Sequence, residues 1–169
     1  MTCFSVLEGD LLDVDADAIV NPANSSLLGR GGLSGQILAA GGAELIAACR
    51  ELKVCPPGHA VITPGFNLRS PWVIHAVGPQ WRGGNRNEAE VLAQCYQSIL
   101  SLASAHNIRR LALPAISTGI FGYPLQPATV VAVATMTGYA ESHGIHEVLF
   151  VAWNRETADV YQRELGLIF

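Results

Sequence analysis

A chain of 169 residues, half of them apolar, is long enough to bury a sizeable core and short enough to read as one domain over 1–169. Its longest apolar runs, "VVAVATM" and "EVLFVAW", fall well short of the roughly 18 residues of a membrane span, which excludes a spanning helix and leaves no membrane partner expected. A net charge of −4 and a pI near 5.7 argue against a general grip on nucleic-acid polymers, but a small anion held by backbone dipoles needs no net positive charge.

In chain order, "CFSVLEG" and "DAIVN" read as short strands. "NSSLLGRGGLSGQI" follows, with Gly29, Gly31, Gly32 and Gly35 inside seven residues, and runs into a helix over about "SGQILAA". Gly41 and Gly42 interrupt it before "AELIAACRELK" resumes. "HAVITPG" and "WVIHAVGP" are β-branched runs closed by Gly and Pro. The polar loop "QWRGGNRNE" precedes a helix from about Glu88 to His106, whose apolar positions Val91, Leu92, Cys95, Ile99, Leu102 and Ala103 recur at helical spacing. "RRLALPAI" is a buried strand, and "STGIFGYP" is a second glycine-rich loop. Pro124 or Pro127 opens a helix through about Ser142, "EVLFVAW" is another strand, and "RETADVYQREL" closes as a helix.

Strands alternating with helices predict a three-layer α/β/α sandwich around a mixed, mostly parallel sheet. Both glycine-rich loops leave strand C-termini and enter helices, so both should lie on the same sheet edge, where ligands of such sheets bind. A glycine-rich turn at a helix N-terminus exposes N–H groups and the positive dipole end, which suits phosphate; two such loops suit a diphosphate. "GRGGLSG" is one residue too long for GxGxxG, GxxxxGK[ST] is absent, and "PAISTG" is not GxSxG. The four cysteines, Cys3, Cys49, Cys55 and Cys95, make no CxxC pair, and Cys55 with His59 lacks a second ligand pair, so no metal site is expected. With no basic n-region or long apolar h-region in "MTCFSVLEGD", they read as thiols in a reducing cytoplasm. His75, mid-strand, reads as a hydrogen-bonded structural histidine rather than a general base.

The ordered set "GDLLDVDADAIVNPANSSLLGRGGLSGQI", "CPPGHAVITPGFNL", "WVIHAVGP", "PAISTGIFGYP" and "EVLFVAWN" resembles the macrodomain family, specifically its MacroD-like branch, over about Phe4 to Leu165. The resemblance implies ADP-ribose as ligand, with hydrolysis of ADP-ribosyl esters on proteins or deacetylation of O-acetyl-ADP-ribose, and no cofactor. By resemblance, Asp10 accepts the adenine amino group and Leu11 offers its N–H to the ring; an acceptor-only carboxylate suits that donor. Asn21 and Asn24 stand in "NPAN", where the family usually shows NAAN. Asn24 resembles the asparagine that faces the distal ribose and orients the attacking water. Gly31, Gly32 and Leu33, with Ser117, Thr118, Gly119, Ile120, Phe121 and Gly122, resemble the diphosphate cradle, and Phe121 lies against the distal ribose. Trp153 stands where the family often stacks an aromatic on adenine, and Asn154 follows it. The residues alone leave plainer roles open: Asp10 as a turn cap, Asn24 as a turn asparagine, Phe121 and Trp153 as core.

The pattern breaks in the first loop. The family's hydrolases usually read GGGGVDGxIH; this chain reads "GRGGLSGQIL". Ser34 replaces an aspartate commonly assigned to activating water, Leu38 replaces a histidine, and Arg30 replaces a glycine, either facing the diphosphate or pointing to solvent. Loss of a general base can lower a rate by about 10²–10⁴-fold. Two functions stay open: a slow or altered hydrolase using Asn24, Ser34 and Phe121, which is favoured, or a module that binds ADP-ribose without efficient turnover. An ADP-ribose 1″-phosphate phosphatase is a minor third.

Overall fold

The computed structural model describes residues 1–167. Among them, six strands form one sheet: β1 (Cys3–Glu8), β2 (Ala18–Ala23), β3 (Ala60–Pro64), β4 (Trp72–Val77), β5 (Arg110–Leu113) and β6 (Glu147–Ala152). Five α-helices cover it: α1 (Gly32–Gly41), α2 (Ala43–Leu52), α3 (Glu88–Ala105), α4 (Leu125–Tyr139) and α5 (Arg155–Glu164). The strand order is β1-β6-β5-β2-β4-β3, parallel throughout except for the β3–β4 pair. That exception follows from chain length. Only residues 65–71 join β3 to β4, too few for the crossover a parallel pair requires.

Residues on alternate positions of the central strands enter two separate cores. Ala18, Val20, Ile74, Ala76, Leu111, Leu113, Val148 and Phe150 face α3, α4 and α5. Ile19, Ala23, Val73, Val77, Ala112 and Val151 face α1 and α2. Burial on both faces is why these strands read as continuous apolar runs rather than as alternating ones. Leu45, Ile74, Leu92, Ile99 and Leu100 are each wholly buried, and such a side chain contributes about 1.5–3 kcal/mol. On α3 the buried stripe is Leu92, Cys95, Tyr96, Ile99, Leu100 and Ala103; Val91 and Leu102, expected inside, are only half-buried. Tyr96 and Leu100 take their place because the stripe must meet both β4 and α4, which widens it.

On the α1/α2 face, two polar residues sit side by side in register, Asn21 of β2 opposite His75 of β4. Neither has any exposure. The Asn21 amide donates to His75 Nδ1 at 3.0 Å, which leaves the proton on Nε2, 2.9 Å from Thr63 Oγ1. Thr63 Oγ1 in turn donates to the Pro64 carbonyl at 3.0 Å. The ring is therefore satisfied as neutral imidazole, and burial pushes its pKa down from 6.5 to about 4.

A histidine that resists protonation when folded makes stability depend on pH in one direction. The unfolded chain binds the proton more readily, so the contribution of His75 is intact above pH 6.5 and is withdrawn as the pH falls toward 4. The drop in pKa corresponds to about 3 kcal/mol. Urea unfolding of the wild type and of His75→Gln should give a steeper loss of stability between pH 6.5 and 4 in the wild type; parallel curves would mean that His75 titrates normally.

Candidate functional site

Five parallel strands end on one edge, and their loops follow in the order β1, β6, β5, β2, β4. At about 4.8 Å per strand, the first and last of these loops stand about 19 Å apart. The two glycine-rich loops occupy neighbouring places, after β5 and β2. They lie on the same edge, as the order of elements predicts.

The loop after β2 is fixed from inside. Leu27 has no exposure and adopts a left-handed φ of 64°, and its N–H donates to Asn24 O at 3.0 Å. Ser25 O accepts from Cys55 N–H at 2.9 Å. Ser26 Oγ donates to Asn24 Oδ1 at 2.8 Å while accepting from Leu28 N–H at 3.3 Å. With its oxygen engaged, Asn24 turns its Nδ2 toward Gly29: a methyl built on Gly29 would lie 3.2 Å from Asn24 Nδ2 and 3.6 Å from Ser34 Oγ. Asn24 and Ser34 therefore flank one spot.

Helix α1 begins at Gly32, two residues earlier than the sequence pattern indicates, and its N-cap Gly31 provides no side-chain cap. Ser34 falls in the first turn. It is 7% exposed, and its Oγ has no partner among the described residues. Gly35 serves internal packing rather than a ligand, because a methyl there would run into the Arg30 carbonyl. Methyls on Gly31, Gly32, Gly119 and Gly122, by contrast, would meet none of the described residues within 4 Å. Those four exposed positions face open space. Leu33 is half-buried and Arg30 is exposed.

The loop after β5 closes on itself. Tyr123 N–H donates to Ser117 O at 2.9 Å, and Gly122 N–H donates to Gly119 O at 3.0 Å. Ser117 is left-handed at φ 68°, the kind of residue that forms anion-binding nests of backbone amides. Its Oγ is buried and unpartnered, packed against Gly78 after β4. Ile120 is 93% exposed on this loop, Thr118 and Phe121 are half-buried, and α4 starts with no side-chain cap. Two uncapped helix starts and two amide-rich loops thus converge on adjacent strands, an arrangement that favours phosphate.

At the β1 and β6 end, Asp10 caps a short 3-10 turn: its Oδ1 accepts from Leu12 N–H at 2.9 Å. Leu11 is buried beneath it. Trp153 is 69% exposed, so the core role left open for it is excluded. Asn154 is the N-cap of α5, its Oδ1 accepting from Thr157 N–H at 2.9 Å. One expectation needs correction. Asn21 has no exposure; it shares the α1/α2 face of β2 with Ile19 and Ala23, and there its amide is taken up by His75 in register on β4.

Sequence reasoning missed Ser26, although Asn-x-Ser in a turn is a familiar self-bonding pattern. It also passed over the loop between β4 and α3 as merely polar. There Glu88, 2% exposed, accepts from the backbone N–H groups of Arg82 and Gly84 through Oε2, at 2.8 and 2.9 Å, and of Arg86 through Oε1 at 2.6 Å. Burial alone would raise its pKa; those amides outweigh it and hold the carboxyl at about 2. Trp81 N–H donates to Phe121 O at 2.8 Å and its ring lies 4.6 Å from Tyr123, joining this loop to the one after β5. At Phe121 opens a cavity of about 360 Å³, lined also by Ser25, Gly78, Arg82, Arg86, Glu88 and Val91.

An α/β/α sandwich with two amide-lined loops on adjacent parallel strands defines a domain built to hold phosphate at its sheet edge. The chain belongs to the macro domain family: the family pattern, described as macro domain, matches residues 20–132. It is 48% identical over 166 residues to the O-acetyl-ADP-ribose deacetylase of Klebsiella pneumoniae, covering 95% of each chain. It is likewise 48% identical over 161 residues to a macro domain-containing protein of Chlorobaculum tepidum, covering 95% of this chain and 94% of the relative. Among solved structures, a mutant Oceanobacillus iheyensis macrodomain with ADPR aligns with a TM-score of 0.91 at 34% identity, over 96% of this chain and 91% of that one. A Trypanosoma brucei macrodomain in complex with ADP-ribose aligns with a TM-score of 0.87 at 34% identity, over 95% of this chain and 68% of that one.

The Glu88 carboxylate predicts a second, more acidic pH effect. Its stabilising contribution is present above pH 4.5 and is lost as the pH falls toward 2. Glu88→Gln replaces an acceptor oxygen by a donor, so at least one of the three amides loses its partner. Thermal melts should show Glu88→Gln less stable than wild type at neutral pH, with the gap closing on acidification below 4.5. A gap independent of pH would show that charge at Glu88 is not what holds the loop.

Proposed function

We propose that this chain binds ADP-ribose along the sheet edge and hydrolyses the ester at its distal ribose, releasing acetate from O-acetyl-ADP-ribose or freeing acidic side chains of mono-ADP-ribosylated proteins. The observation that carries this reading is the pairing of Asn24 with Ser34. An amide whose oxygen is held by Ser26 and a buried hydroxyl with no partner among the described residues both lie beside Gly29, just ahead of the start of α1. The deacetylase names of relatives 48% identical to this chain support it.

In this reading the adenine lies between Asp10 and the exposed face of Trp153, and the diphosphate lies between the two glycine loops. Phe121 backs the distal ribose. The Asn24 N–H groups and the Ser34 hydroxyl hold a water against the ester carbonyl. The water oxygen bonds to the carbonyl carbon, the ribosyl oxygen departs as the alcohol, and the carboxylic acid is released. Ser34 cannot serve as a base near neutral pH, and His75 is buried and occupied, so positioning supplies the catalysis and the rate is low. Ser34 also favours the second reading, a module that binds ADP-ribose without efficient turnover. Four free thiols, three of them buried, support a reducing, cytoplasmic setting.

The deciding experiment incubates the protein with O-acetyl-ADP-ribose and with a glutamate-linked mono-ADP-ribosylated protein, following release of acetate and ADP-ribose. Asn24→Ala should lower kcat by about 10²–10³-fold while shifting ADP-ribose affinity far less. Equal losses would make Asn24 a binding residue only. Ser34→Asp should raise the rate on the same substrates; a flat or falling rate would mean that the water is held another way.

A further inference from the structure

We propose that the cavity at Phe121 is a subsite for the polypeptide part of an ADP-ribosylated substrate, in which Arg82 and Arg86 receive a carboxylate side chain flanking the modified residue. The inference rests on the reading above, that the ester attached at the distal ribose is cleaved here.

Position comes first. Along the sheet edge, the loop after β4 is the next one beyond the Asn24 loop and lies farthest from Asp10 and Trp153. Whatever is attached to the distal ribose, past Asn24 and Phe121, leaves toward it. Size is the second point. The cavity holds about 360 Å³, far more than an acetyl group occupies.

Charge is the third. In a chain with ten Lys and Arg against fourteen Asp and Glu, two arginines four positions apart line this one opening. The carboxylate that also lines it, Glu88, is spent inward: both its oxygens accept backbone N–H groups, and it is 2% exposed. Among the described residues it forms no ion pair with either guanidinium group, although its charge stays at the same opening. Arg82 donates one N–H to Gln80 Oε1 at 2.9 Å, which orients the group and leaves its other donors for a ligand. An acetyl group offers them no anion, whereas an aspartate or glutamate beside the modified residue offers a bidentate partner.

The loop is also pre-organised. Three amides converge on Glu88, Trp81 N–H is tied to Phe121 O, and Gly84 at φ 89° packs against the Trp81 ring. A buried carboxylate without a cation costs desolvation energy, and here it fixes the very segment that carries the two arginines. Pre-organisation of that kind lowers the entropy cost of binding.

The test compares wild type with the Arg82→Gln/Arg86→Gln double variant. Three substrates are used: O-acetyl-ADP-ribose and two peptides bearing one glutamate-linked ADP-ribose, flanked by aspartates in one and asparagines in the other. The wild type should prefer the aspartate-flanked peptide by about tenfold in kcat/KM at low ionic strength, the preference fading as salt is added. The double variant should treat the two peptides alike and keep the wild-type rate on O-acetyl-ADP-ribose. A wild type indifferent to the flanks, a variant that retains the preference, or an equal loss on O-acetyl-ADP-ribose would overturn the assignment. Calorimetric affinities for the same peptides give the same ratio even if neither protein turns anything over. That outcome would end the hydrolase reading while still deciding the subsite.

Discussion

The cleft exists because β2 and β5 lie side by side and parallel, with Ala18 opposite Leu111 and Ile19 opposite Ala112. Parallel neighbours finish on the same edge, so two loops far apart in sequence deliver their backbone amides to one place. The arrangement has a structural cost. Parallel strands require long crossovers and both faces covered. The half-apolar composition meets that demand with two separate cores, one beneath α3, α4 and α5 and the other beneath α1 and α2.

Two buried ionisable groups show opposite answers to one problem. His75 sits deep in the sheet, where its ring is bonded on both nitrogens as the neutral form and burial depresses its pKa. Glu88 sits at the rim of the cleft, where converging amides stabilise the charged form despite burial. Backbone dipoles can do for a carboxylate what a counter-ion would do, and they leave nearby cations unpaired. The first group locks β2 to β4 and β3; the second locks the β4–α3 loop against the wall of the cleft.

Two buried hydroxyls, by contrast, are left without partners. In the first turn of α1, the Ser34 hydroxyl is buried with no partner among the described residues. Ser117 shares that condition on the neighbouring loop. Unsatisfied buried hydroxyls cost about 1–3 kcal/mol each, a cost that a ligand or an ordered water can offset. The two lie on either side of the cradle, after β2 and after β5.

Much of this was written in the sequence. Strand and helix order, the two glycine loops and their shared edge follow from local patterns: β-branched runs, the helical spacing of Leu92, Cys95, Ile99 and Ala103, and glycine next to helix starts. The family followed from separated motifs in fixed order. Tertiary structure alone decided the rest, because those facts depend on partners distant in the chain. Asn21 and Asn24 look alike in "NPAN", yet Asn21 lies within β2 and bonds His75 inside the sheet, whereas Asn24 lies just past the strand end and bonds Ser26 in the loop. Gly35 resembles its neighbours in composition but packs against the Arg30 carbonyl. Trp153 differs from a core tryptophan only in that its strand ends just before it, leaving the ring in solvent. Glu88 gave no hint of its role, since its partners are backbone amides, and backbone amides carry no sequence signature.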